Sequence, residues 1–76
     1  MLLIDKIIKD NKISKYDIAD LLGITKQALQ NKLNLTKDFT ITELEKIKEF
    51  LIDLNILNFK YDIGDFLNEV EEEKTS

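Results

Sequence analysis

Gln27, Gln30, Asn31 and Asn34 place four carboxamides in one short stretch of the chain. A carboxamide offers a carbonyl acceptor beside an NH2 donor. That pair matches the N6–H donor and N7 acceptor that adenine displays in the DNA major groove. From Leu21 to Lys37 there is no acid, and three lysines occur: Lys26, Lys32 and Lys37. Side chains of this kind read base edges only if a rigid element holds them at one depth. On a helical wheel with Leu29 at the origin, Leu33 lies about 40° away, on the same buried side. The four amides cluster between about 100° and 200°, facing outward. Lys26 and Lys32 flank the buried side at about ±60°, where their apolar stems let the ammonium groups reach out to phosphates.

The element before this helix must fix its angle. Ala19-Asp20-Leu21-Leu22-Gly23-Ile24 ends an apolar stripe at a glycine. Glycine there takes the left-handed backbone that turns a chain sharply. Ala19 is small enough for close helix approach, and Ile18, Leu22, Ile24 and Leu29 supply contacts that lock two helices together. Two short helices joined this way form a helix-turn-helix, which projects its second helix into the major groove.

Apolar residues recur at helical spacing along almost the whole chain. The stripes are Leu3, Ile4, Ile7 and Ile8; Ile18, Leu21 and Leu22; Leu29 and Leu33; Leu44, Ile47, Phe50, Leu51 and Leu54; and Ile63, Phe66, Leu67 and Val70. Three starts carry a cap with an apolar staple: Ser14 with Asp17 and Ile13–Ile18, Thr40 with Glu43 and Phe39–Leu44, and Asp62 with Asp65 and Tyr61–Phe66. Thr25 is expected to cap the third helix. The spacing predicts an all-α, compact five-helix bundle whose second and third helices form the helix-turn-helix. Residues 1–70 read as a single domain and 71–76 as an acidic, frayed tail. Asn55 to Lys60 either extends the fourth helix or makes an apolar connection, with Ile56, Leu57 and Phe59 in the core or facing a second subunit. Tyr16, Phe39 and Tyr61 read as staple and core residues rather than stacking platforms.

The chain of 76 residues carries a net charge of −4 and contains no arginine. Most of that charge belongs to the end, where Asp62, Asp65, Glu69, Glu71, Glu72 and Glu73 outweigh Lys74. The acidity therefore leaves room for a locally positive face. With neither histidine nor cysteine, the usual general base, thiol nucleophile and soft metal ligands are missing, so neither enzymatic activity nor a cofactor is expected. Asp62 and Asp65 serve a helix start rather than acid–base catalysis. No apolar run approaches the ~20 residues of a membrane span. The opening MLLIDKIIKD has acids in its apolar stretch and no small-residue cleavage site, so it is not expected to be a signal peptide. A cytoplasmic location is expected.

Residues from about Ile13 to Leu67 resemble the Cro-like, phage-repressor class of helix-turn-helix domains, the XRE family. Ser14, Ile18, Ala19, Leu22, Gly23, Ile24, Thr25, Leu29 and Leu33 carry the resemblance. "GITKQALQNKLN" is similar to recognition helices of small phage-encoded members, "FTITELEKIKEFL" to the fourth helix, and "YDIGDFL" to a short fifth. The resemblance implies a lambda-repressor-like domain, usually a homodimer, that represses transcription by occupying a double-stranded DNA operator. Thr25, Lys26, Gln27, Gln30 and Asn31 match positions that touch bases or phosphates. Ser14 and Lys15 match phosphate-contacting positions. Asn34 completes the amide face, and Lys32 and Lys37 add phosphate contacts. The chain departs from the pattern in three places. It has Ser14-Lys15-Tyr16 where a glutamine often starts helix two, Lys32 where many members bury an apolar residue, and a longer connection at Asn55 to Lys60. The acidic tail and that connection also fit an alternative: a phage-encoded inhibitor or antitoxin-like module that uses the scaffold to bind a host protein.

Overall fold

Local capping chemistry divides the chain into its elements. A computed structural model describes residues 1–36 and 38–71. In it α1 spans Leu3–Asp10, α2 Lys15–Leu22, α3 Lys26–Asn31 and α4 Ile41–Asp53. The Thr40 hydroxyl accepts from Glu43 N at 3.1 Å, and Glu43 Oε1 accepts from Thr40 N at 2.9 Å, so α4 starts with a complete capping box. Ser14 and Thr25 cap α2 and α3 singly, accepting from Tyr16 N and Ala28 N.

Three helix ends share one design. Lys12, Gly23 and Asn55 adopt the left-handed backbone at φ 54°, 71° and 60°. The next residue, an isoleucine each time, donates its N–H back into the last turn: Ile13 to Ile8 O, Ile24 to Ala19 O and Ile56 to Leu51 O, at 2.9–3.0 Å. This is the Schellman closure, with its apolar residue packed on the core. At Gly23 a Cβ would meet nothing within 4 Å, so the demand for glycine comes from the backbone alone. Gly23→Ala is therefore expected to lower stability by about 1–2 kcal/mol, the cost of a left-handed L-residue, read as a lower urea midpoint with an unchanged slope.

Two elements differ from the helical reading. α3 runs on into a π-helical turn, Lys32–Thr36. Its wider i→i+5 geometry rotates less per residue, which brings Leu33 more nearly under Leu29, and both are buried. The expected fifth α-helix is instead a 3-10 helix, Ile63–Leu67, so among the described residues the bundle has four α-helices and a 3-10 turn. It buries only Phe66, and the chain leaves it in extended form at Asn68 to pair with the N-terminus. Leu3 N donates to Asn68 O and Val70 N to Met1 O, both at 2.8 Å. The Met1 ammonium donates to Val70 O at 3.0 Å. This clasp supplies α1 with the cap that Leu2 has no side chain to make. Among the described residues there is no strand, only the Leu2–Glu69 bridge.

The core is Leu2, Ile4 and Ile8 from the start, Ile18 and Ala19 from α2, Leu29 and Leu33, then Leu44, Ile47 and Leu51 from α4, with Phe66. Leu2 takes the buried place expected for Leu3, because the clasp draws the chain's first residues inward. Leu54 lies exposed where α4 ends. The 55–60 stretch is a connection: Ile56 and Leu57 pack on the core, and Phe59 is 75 % exposed. Lys48 Nζ holds Phe59 O at 2.7 Å.

Tyr61 forms its expected staple, with its ring 4.8 Å from that of Phe66. Its hydroxyl is buried without a hydrogen-bond partner among the described residues. Burial, with Asp65 and Asp62 nearby, raises the phenol above its ordinary 10.0. A raised folded-state value favours the protonated form. Its contribution is present below pH 10 and is lost as pH rises through the folded value. Tyr61→Phe keeps the ring and removes the unpaired hydroxyl. It is expected to stabilise the fold by about 1 kcal/mol and to flatten the loss of stability above pH 10, in melts from pH 7 to 11.

Candidate nucleic-acid interface

The start of α2 and the outer face of α3 meet at one surface, because the Gly23 turn and Ile24 set the two helices at a fixed angle. Ser14 and Thr25 lie at the heads of the two helices, exposed, with their side-chain oxygens engaged as caps. Gln27, Asn31 and Asn34 are exposed and Gln30 is half-buried. Gln27 Nε2 donates to Asn31 Oδ1 at 3.1 Å, one turn along α3. Lys15 Nζ donates to Gln30 Oε1 at 2.7 Å across the two helices. The same ammonium lies 3.7 Å from Asp5 Oδ1, the one buried charged residue of the described chain. One ion pair and one hydrogen bond thus tie α1, α2 and α3 together beneath the amide face.

Tyr16 corrects the sequence reading. It is 64 % exposed rather than a core residue, because it sits on the side of α2 opposite Ile18. Its ring lies under the Lys26 ammonium at 5.0 Å, a cation–π contact that holds this lysine at the seam between α2 and α3. Lys32 also departs from its expected outward course. Its ammonium donates to Asp38 O at 2.6 Å, lies 3.5 Å from Glu43 Oε1 and 5.8 Å from the Phe39 ring centre. The π-turn places its stem beside the head of α4, and the Glu43 carboxylate offsets its charge. Lys32 is thus a clamp between the end of α3 and the start of α4. Lys37 lies outside the described residues. The positive stripe reduces, among the described residues, to Lys26 and Lys15, with no acid between 21 and 36.

Sequence reasoning missed the Lys15–Gln30 contact, whose partners are fifteen residues apart. The only signal was indirect: a lysine stands at the head of helix two, where related domains often have glutamine. Tyr16 was legible from helical phase alone.

The model of the Cro/C1-type HTH DNA-binding domain matches residues 4–52. The chain belongs to this family. The match covers most of the Cro/C1-type fold described above, from α1 into the last turn of α4, and includes every candidate contact residue. The 3-10 helix and the terminal clasp lie beyond it. No curated protein and no solved structure matches the chain. Among the described residues, no helix is long and apolar enough to cross a membrane, and no group of three or more acids is placed to hold a metal ion.

Proposed function

We propose that this Cro/C1-type domain is a sequence-specific, double-stranded-DNA-binding transcriptional regulator. The observation that carries the reading is the acid-free outer face of α3 and its π-turn, with Gln27, Asn31 and Asn34 exposed on it and Gln30 at its edge. α3 and its π-turn lie in the major groove, and Thr25, Lys26, Gln27, Gln30, Asn31 and Asn34 meet base edges. Ser14 and Lys15 at the head of α2, with Lys37, meet phosphates. The domain comprises residues 1–70 and acts in the cytoplasm as a homodimer on a partly palindromic operator. Half-sites lie about one helical turn apart, roughly 34–36 Å. It represses by occupying the operator and excluding polymerase, as the similarity of "GITKQALQNKLN" to phage-encoded recognition helices supports.

A second reading has one observation in its favour. Phe59 is 75 % exposed beside Lys48, Glu49 and Ile52, on a groove along the outer face of α4. A host protein could dock there, making the chain an inhibitor or antitoxin-like module. Selection from a random-duplex pool at about 100 mM salt, where the Debye length is roughly 10 Å, separates the two. An enriched inverted repeat with about 10 bp between half-site centres supports the regulator. Weak binding that vanishes with added salt and enriches no sequence rejects it.

A further inference from the structure

The four amides of the reading face are not chemically equivalent, because two different internal contacts constrain them. Gln27 and Asn31 bond to each other. Whichever way the two carboxamides are turned, that bond consumes one donor and one acceptor. One whole carbonyl and one whole NH2 group of the pair then stay free, the complement of adenine's N6–H and N7. Gln30 is held differently. Its partner is the Lys15 ammonium, which can only donate. The Gln30 carbonyl must therefore face Lys15, and the NH2 is the end left to meet a base. Asp5, buried on α1 and 3.7 Å from Lys15, holds the ammonium in place from behind.

We infer that Gln30 reads guanine, its orientation set by Lys15 and Asp5. Both outward hydrogens of Gln30 are donors, and in the major groove guanine offers two adjacent acceptors, O6 and N7. Adenine opposes one of those donors with its own N6–H, and thymine offers only O4. The positive charge of Lys15 beside the carbonyl favours the same acceptor-rich edge. A chain without arginine thereby gains a guanine reader from a lysine and a glutamine. Lys15 becomes a positioning residue for base reading in addition to its phosphate role. The inference rests on the DNA-binding reading above and names one base within it.

The test is the base preference of selected duplexes for the wild type, Gln30→Ala and Lys15→Met. Gln30→Ala flattens one motif position and so identifies the base pair beneath this residue. The wild type is expected to show guanine there, preferred about tenfold or more over adenine. Lys15→Met frees the carboxamide to turn, and the preference at that one position moves to adenine while the others stay. Adenine at that position in the wild type overturns the inference and leaves the regulator standing. So does a Lys15→Met protein that binds every sequence more weakly with guanine retained. No enriched motif for the wild type overturns both. The wild-type letter decides the matter even if Lys15→Met does not fold.

Discussion

Replacing Phe66 by alanine is expected to remove about 3–5 kcal/mol of stability, the range for deleting a buried aromatic ring. Small domains have about 5–15 kcal/mol in total, so this single change brings the protein to the edge of unfolding at room temperature. Phe66 is fully buried and is the one buried residue of the 3-10 helix. It anchors the segment whose next residues close on the N-terminus, where Asn68 O accepts from Leu3 N. Losing the ring therefore opens a cavity and also loosens the cap of α1. Urea titration followed by far-UV circular dichroism checks this. Leu67→Ala, at a half-buried neighbour, is the control and should cost about 1 kcal/mol. A Phe66→Ala protein within 1 kcal/mol of the wild type would mean that the 3-10 helix is an ornament on a core complete without it.

Gln27→Ala should cost about 1–3 kcal/mol of discrimination at one base pair, a loss of roughly 5- to 150-fold in preference. Binding to random duplexes should hardly change. Lys26→Ala should do the reverse: weaken binding to all sequences and lower the slope of log K against log salt by about one. Competition binding with selected and random duplexes at several salt concentrations separates the two effects. Because Gln27 holds Asn31 at 3.1 Å, the Gln27→Ala and Asn31→Ala losses should not add. The double variant should fall short of their sum, since either single change already frees the other amide. Equal losses for Gln27→Ala on both kinds of duplex would refute base reading by this face.

Much of this fold is legible in the sequence because its signals are local. Helical spacing found all four α-helices, Gly23 found the turn, and Thr40 with Glu43 found the start of α4. What stayed hidden depends on partners far apart in the chain. Nothing near Met1 announces that its carbonyl will accept from Val70, and nothing near Gln30 announces Lys15. The course of Lys32 was hidden for the same reason. A wheel at a fixed angle sends Lys32 outward, but Asp38 and Glu43 offer it a better partner across the bundle. The left-handed ends at Lys12 and Asn55 lack the glycine that marks Gly23. The repeated isoleucine after each of the three was the readable trace.

Two of those isoleucines have a double duty. Ile13 ends α1 and immediately precedes Ser14, the cap of α2. Ile24 ends α2 and immediately precedes Thr25, the cap of α3. Each joint thus closes on one left-handed residue and one anchored isoleucine set directly before the next cap, with no slack. α3 and its π-turn behave as a lever of roughly 15 Å pivoting on Ile24. A tilt of 10° there would carry the far end by about 2.6 Å, close to a whole hydrogen-bond length. On the proposed reading, aim and alphabet are therefore separate properties. If α3 reads bases as proposed, its side chains can be exchanged to change which bases are met, while one residue inserted beside Gly23 would misdirect all of them at once. The connection at 55–60, whose exposed Phe59 lies beside the outer face of α4, is where the chain has length to spare.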